Sequence, residues 1–139
     1  MASLVLNIDV PDMAAGVTFY SAAFGLEVGR RFDDDFIELV GAQARIYLLR
    51  KAAGTSIGPA GGDQRRYQRH WTPIHADFLV DDMAAAIRRV TAAGAVQEGD
   101  TRQEPYGKLA MFADPFGHGF CLIEFSGAGY DALLPSNPA

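Results

Sequence analysis

The sequence predicts an α+β fold in which one strand–helix–three-strand module, a βαβββ unit, is used twice. Three observations lead there. Val10, Asp12, Met13, Ala14, Ala15, Ala22 and Ala23 recur 70 residues later as Val80, Asp82, Met83, Ala84, Ala85, Ala92 and Ala93, and self-similarity at a fixed offset signals a repeated structural unit. Strand-type alternation precedes both copies, and helical spacing runs through both. The frame is globular: 139 residues, 49% hydrophobic and 21% charged, enough for one domain with its own core.

Taken in order, Leu4 to Val10 and Ile74 to Val80 alternate with period two and read as opening strands. Asp12 and Asp82 stand at helix N-caps, where a carboxylate accepts the free N–H groups of the first turn. Met13, Val17 and Tyr20, and likewise Met83, Ile87 and Val90, then fall on one helical face. Gly25 and Gly94 close the helices. Leu26 to Phe32, Phe36 to Val40 and Arg45 to Arg50 complete the first module as strands. Val96 to Gln97, Leu109 to Phe112 and Phe120 to Phe125 complete the second.

These elements predict a first module at 1–51, a linker at 52–73, a second module at 74–125 and a tail at 126–139, in one domain overall. The linker begins rich in Gly and Pro, but Tyr67 and Trp71 are too large to be idle and are expected to pack back on the body. The tail carries Tyr130, Leu133 and Leu134, which dock it or leave it frayed.

Composition also excludes function classes. Twelve Lys and Arg against 17 Asp and Glu give a net charge of −5, which argues against a nucleic-acid groove. No apolar run approaches the ~18 residues of a membrane span, so the expected location is cytoplasmic, with neither membrane nor nucleic acid as partner. A single cysteine, Cys121, rules out an internal disulfide and a four-thiolate zinc site.

The repeated module, its Asp-Met caps, the Phe19-Tyr20 pair, the Phe24-Gly25-Leu26 helix exit and the Asp114-Pro115-Phe116-Gly117 hairpin together resemble the vicinal oxygen chelate superfamily. That group comprises the glyoxalases, bleomycin-resistance proteins and extradiol dioxygenases. The resemblance spans residues 4 to 125 and implies curled mixed sheets around a cup, helices on the outer face, a homodimer, and ligand held in the cup. In metal-dependent members, ligands come from the first and fourth strands of each module. Carried over by the Val-x-Asp and Asp-Pro-x-Gly motifs, those places are Val5, Tyr47, His75 and Cys121. The family has His or Gln and Glu there, and three of the four residues depart from that pattern.

Strand parity reaches the same face independently. Leu4, Leu6, Ile8 and Val10, with Ile74, Ala76, Phe78 and Val80, form apolar faces expected against the helices. Val5, Asn7 and Asp9, with His75, Asp77 and Leu79, face the other way. If an ion binds, His75, Cys121 and Asp77 are the donors, a set suited to zinc, iron or nickel, although same-face neighbours on a strand stand nearly 7 Å apart. Alternatively, His75 carries protons, oriented by Asp77 or Glu38. His75-x-Asp77 with His118 also mimics a non-haem iron triad, but His118 sits in a turn that accounts for it.

Cys121 lies among apolar neighbours with nothing to lower its pKa, so a structural thiol is expected rather than a nucleophile. Arg65 to His70 reads as a solvated basic loop. Asp33-Asp34-Asp35 reads as a hairpin turn rather than a calcium loop, since it lacks the spacing and closing Glu of an EF-hand.

The expected ligand-binding lining is therefore Val5, Asn7, Tyr47, Leu49, His75, Asp77, Cys121 and Ile123, with Tyr67, Trp71, Tyr106 and Lys108 near the rim. Aromatic walls with a few polar groups suit a flat organic ligand. The sequence thus points to a metal-independent dimeric binder of an aromatic or amphipathic molecule, drug sequestration being one form of it. The rival is a lyase, isomerase or dioxygenase using a divalent ion at His75, and a third reading is a dimer-forming module whose cup is filled by its own side chains.

Overall fold

A computed structural model describes residues 1–136. The first module runs β1 (Val5–Val10), α1 (Met13–Phe24), β2 (Glu27–Asp33), β3 (Phe36–Val40) and β4 (Arg45–Arg50). The second runs β5 (Ala76–Leu79), α2 (Met83–Ala93), β6 (Val96–Glu104), β7 (Gly107–Ala113) and β8 (Gly119–Phe125). A short 3₁₀ turn, Gly129–Leu133, follows, and Asn137 to Ala139 of the predicted tail lie outside the described residues.

Each module makes one four-stranded mixed sheet, in the orders β1-β4-β3-β2 and β5-β8-β7-β6. β1 runs parallel to β4 and β5 to β8, while the other pairs are antiparallel. The crossover that parallel pairing requires is supplied by the helix and two intervening strands. The α+β architecture with duplicated βαβββ units is therefore as the repeat predicts. The two sheets stay separate, with β1 and β5 each at a sheet edge.

Both helices start where the aspartates place them. Asp12 Oδ1 accepts the Ala15 N–H at 3.0 Å and Asp82 Oδ1 accepts the Ala85 N–H at 3.0 Å, each cap worth about 1 kcal/mol. Gly25 ends α1 at φ 65°, a conformation that costs glycine little.

Packing couples the modules through α1. Phe24 stacks on Phe78 with centroids 3.8 Å apart and meets Phe120 edge-on at 5.5 Å. Phe19 reaches Phe116 at 6.4 Å, and Arg89 Nε donates to the Ala23 carbonyl at 2.9 Å. The buried Tyr20 hydroxyl donates to Asp114 Oδ2, whose other oxygen accepts the Phe116 and His118 N–H groups at 2.8 and 2.9 Å. One buried carboxylate thus shapes the Asp114-Pro115-Phe116-Gly117 turn and anchors the other module's helix to it.

Three expectations change. The apolar faces of the opening strands are exposed where they begin, Leu4 at 76% and Ile74 at 85%, and half-buried further along, only Val10 being fully buried at 0%. β1 and β5 are edge strands, and among the described residues nothing covers the ends where they begin. β5 is consequently shorter than Ile74 to Val80. β6 is longer than Val96 to Gln97, because its polar stretch Glu98 to Glu104 shows no alternation yet pairs along β7 after a register shift.

The linker packs back as its aromatics predict. Tyr67 Oη donates to the Lys51 carbonyl at 2.6 Å. The His70 N–H donates to the Gly117 carbonyl at 3.0 Å, and a Cβ on Gly117, at φ 89°, would fall 2.3 Å from the Gln68 carbonyl oxygen. The basic run is a clamp rather than a solvated loop: Arg65 Nε binds Asp9 Oδ2 at 2.8 Å and Arg69 pairs with Glu98. In the tail, Tyr130 packs on Phe125 at 4.7 Å, while Leu133 and Leu134 stay 54% and 67% exposed.

Replacing Tyr20 with Phe strands one buried oxygen of Asp114 and is expected to lower stability by ~1–3 kcal/mol, measured by urea denaturation. An unchanged midpoint would show that the modules dock on their aromatics alone.

Candidate functional site

Between the free edges of β1 and β5 lies an open cleft of about 1290 Å³. Its walls are largely apolar, including Leu6, Ile8, Phe24, Ile46, Ile74 and Phe78, and the linker borders it with Arg65, Tyr67 and Trp71. Asn7, Asp9, His75, Asp77 and His118 bring polar groups to it. Of the residues the sequence proposes, Asn7, Tyr67, Trp71, His75 and Asp77 line this cleft together.

The others divide between the two sheets. On the first, Asn7 stands opposite Tyr47 and Tyr47 opposite Glu38, while Val5 pairs with Arg45 and Asp9 with Leu49. On the second, Asp77 stands opposite Cys121 and Leu79 opposite Ile123. Strand parity thus groups each sheet's residues on one face, but no ladder joins the two groups within the chain. Lys108 departs from the rim: it pairs in register with Glu124, a carboxylate 4.0 Å from its ammonium that also accepts the Met83 N–H opening α2 at 2.6 Å. It therefore belongs to the helix side of its sheet. Tyr106 joins Phe125 and Tyr130, with centroids at 6.4 and 5.0 Å.

On the second sheet, His75, Asp77 and Cys121 converge. His75 Nε2 lies 3.1 Å from Asp77 Oδ1, and a donor atom from each of the three falls within 4.8 Å of the others. The ~7 Å spacing of same-face residues had suggested a wider set; the side chains lean together across the β5–β8 ladder. Cys121 is 4% exposed, and its thiol is pushed up to about 12 by burial first and then by the charge and hydrogen bond of Asp77. It is a protonated structural thiol at neutral pH, not a nucleophile.

Trp71 completes this corner. Its ring covers Gly119, where a Cβ would fall 2.6 Å from the indole. Its Nε1 donates to Glu98 Oε1 at 2.8 Å, the Arg69 guanidinium lies 4.7 Å from its ring, and His75 meets it edge-on at 5.2 Å. His75 is thus held between an aromatic edge and a carboxylate.

The first sheet carries an ionic arrangement that the sequence did not reveal. Glu38 is 4% exposed yet charged. Arg30 donates to it from Nη2 at 2.7 Å, from Nε at 3.1 and 3.2 Å and from its backbone N–H at 3.1 Å, and Tyr47 Oη donates at 3.0 Å. The Arg30 hydrogen bonds are the chief reason the Glu38 carboxyl is held at about 2 rather than its usual 4.5. Glu38 therefore does not orient His75; Asp77 alone of the two candidates does.

Residues 5–123 match the glyoxalase-like domain. The chain belongs to that family. No curated protein matches its sequence. Among solved structures it is similar to TioX from Micromonospora sp. ML1, at 18% identity over 91% of this chain and 100% of that one, with a TM-score of 0.68. It is also similar to FosX, a genomically encoded fosfomycin resistance protein from Listeria monocytogenes, at 16% identity over 91% and 94%, TM-score 0.67. A glyoxalase/bleomycin resistance protein/dioxygenase family enzyme from Burkholderia phytofirmans PsJN aligns at 18% identity over 90% and 100%, TM-score 0.64. At such identities the likeness is one of fold. No helix among the described residues is long and apolar enough to cross a membrane.

The four places that the resemblance implies for an ion, Val5, Tyr47, His75 and Cys121, are unequal as donors in this glyoxalase-like domain. Val5 has no donor atom, and the Tyr47 hydroxyl is engaged by Glu38 and by Arg30 Nη2 at 3.2 Å. His75, Asp77 and Cys121 are the one three-residue donor cluster among the described residues. Its thiol must lose a strongly held proton to bind zinc or iron.

Two measurements check this geometry. The folded pKa of Glu38 lies below its unfolded value, so its stabilisation is present above pH 4.5 and is lost as pH falls toward 2. The melting temperature of wild type is expected to drop more steeply through that window than that of Glu38→Gln; parallel curves would contradict the pairing. Gly119→Ala is expected to displace Trp71, the only tryptophan, and to shift its emission to the red. Unchanged emission would mean that Trp71 does not rest on β8.

Proposed function

We propose that this glyoxalase-like domain is a metal-independent binding protein that holds a flat aromatic or amphipathic molecule, sequestration of a drug being one form of that role. The supporting observation is the cleft of about 1290 Å³ bordered by apolar and aromatic side chains with a few polar groups, the character of small-molecule sites. The lack of a usable donor at Val5 and the engagement of Tyr47 agree with it. A module whose cup is filled by its own side chains does not match so large an opening. The neighbour described as a fosfomycin resistance protein adds a precedent of fold for a resistance role.

The free edges of β1 and β5 support a homodimer. Unpaired strand edges invite a further strand, and Leu4, Ile74 and Leu79 beside them are 76%, 85% and 61% exposed.

One observation favours the rival: the convergence of His75, Asp77 and Cys121 within 4.8 Å, which suits a zinc- or iron-dependent lyase, isomerase or dioxygenase better than the sequence alone allowed. Protein purified without chelator decides between them. Metal is expected well below one equivalent per chain, and aromatic ligands at about 100 times their Kd are expected to add about 2.7 kcal/mol of stability by mass action, read as a thermal shift. One equivalent of zinc, iron or nickel that His75→Ala removes would replace this reading with the enzymatic one.

A further inference from the structure

The part of the linker that borders the cleft is itself a small folded piece. The Gly54 N–H donates to the Arg65 carbonyl at 2.8 Å, the Arg65 N–H to the Thr55 carbonyl at 2.8 Å and the Ile57 N–H to the Asp63 carbonyl at 3.1 Å. Ser56 and Gln64 thus face each other across an antiparallel bridge, and residues 54–65 form a hairpin. Arg65 gathers its base: Nη1 donates to Thr55 Oγ1 at 3.2 Å and to the Ser56 carbonyl, while Nε holds Asp9 Oδ2 on β1 at 2.8 Å.

This hairpin is pinned at its base and unattached at its tip. Beside the base, the Lys51 N–H donates to the Val10 carbonyl at 3.0 Å and Tyr67 Oη to the Lys51 carbonyl at 2.6 Å. Among the described residues, every hydrogen bond of residues 54–64 ends within residues 52–65. The Arg65–Asp9 pair is therefore the hairpin's one hydrogen-bonded tie to the body. At the tip, beyond the chain neighbours, no atom lies within 4 Å of where a Cβ would stand on Gly61 or Gly62, so the tip has open space around it.

That tip carries a single large apolar side chain. Ile57 is the only Val, Ile, Leu, Met or aromatic residue between Leu49 and Tyr67. It takes no part in the hydrophobic core and is 58% exposed, yet it borders the cleft with Asp63, Gln64 and Arg65. An exposed isoleucine at the mouth of an apolar cleft gains from whatever the cleft holds, because covering it removes apolar area from water.

We propose that the hairpin 54–65 is a lid whose tip closes over a guest in the cleft, with Ile57 making the contact and the Arg65–Asp9 pair serving as the pivot that aims it. This rests on the binding function proposed above and adds the step that retains the guest. Arg65 is a positioning residue: one guanidinium fixes both the hairpin's base and the strand at the cleft's edge. Because the hairpin's own bonds keep it formed, it moves as a unit, and little freedom is lost when it closes.

Anilinonaphthalene sulfonate, a flat amphipathic dye that brightens on apolar surface, is the probe, mixed with the full-length protein in a stopped-flow instrument. A lid gives two phases: capture, whose rate rises with dye concentration, and closure, whose rate levels off. Ile57→Ser is expected to keep the first phase, abolish the second and speed dissociation roughly tenfold, the loss of one apolar contact. Arg65→Gln is expected to do the same by leaving the hairpin unaimed, and Arg65→Lys to keep part of the slow phase. Far-ultraviolet circular dichroism checks that the variants are folded. Dye that binds in a single phase, or a slow phase that Ile57→Ser leaves unchanged, would overturn the lid and leave the binding function standing. Dye that does not bind at all would overturn the two together.

Discussion

The Asp114 carboxylate is the constraint on which the arrangement of this molecule turns. It is 5% exposed and accepts from three donors: two backbone N–H groups of its own turn and the Tyr20 hydroxyl from the other module. A buried carboxylate is tolerable only with such partners, and supplying the third requires α1 to lie against the second module. The same contact raises the Tyr20 pKa well above its usual 10, through burial first and the Asp114 charge second. With α1 seated there, Phe19 and Phe24 reach Phe78, Phe116 and Phe120, and the orientation of the two sheets follows. The gap between β1 and β5 is a consequence of docking by helices and aromatics rather than by strand pairing.

That docking lets duplicated modules carry different chemistry. Equivalent places in the two sheets hold Tyr47 and Cys121, and Val5 and His75. On the first sheet, the polar groups gather around Glu38 and are saturated by arginine and tyrosine. On the second, they gather around Asp77 and involve a histidine and a thiol. The linker is not neutral in this, because it returns Arg65 to Asp9 on the first module and Trp71 and Arg69 to Glu98 on the second. Ties of this kind hold the cleft's border in place while leaving its apolar walls free for a guest.

Much of the fold was legible because its signals are local. Asp12 and Asp82 announce their helices through hydrogen bonds three residues long, and Arg45 to Arg50 alternates in burial as half-buried strands do. Glu98 to Glu104 was illegible for the opposite reason: a polar run becomes a strand only because β7 presents an edge to it. Within the site, parity found the faces of Asn7 and His75, since side chains alternate strictly along a strand, while Tyr47 and Cys121 were reached through the family motifs. Lys108 was misplaced because its strand reaches two residues further toward the turn than its apolar segment, Leu109 to Phe112, indicates. Arg30 and Arg45 carried no signal, since the carboxylate they flank lies on a neighbouring strand and charged residues are ordinarily solvated.

The sequence by itself determined the duplicated module, its caps and turns, and which side chains share a face, because each depends on residues within a few positions of one another. Tertiary structure decided which faces meet, that Glu38 is sealed by Arg30 while His75 is steered by Asp77, and that β1 and β5 stand apart around an open cleft. Those outcomes arise from contacts between residues as far apart as Tyr20 and Asp114, where packing and the satisfaction of buried charge select one arrangement among many that the local pattern permits.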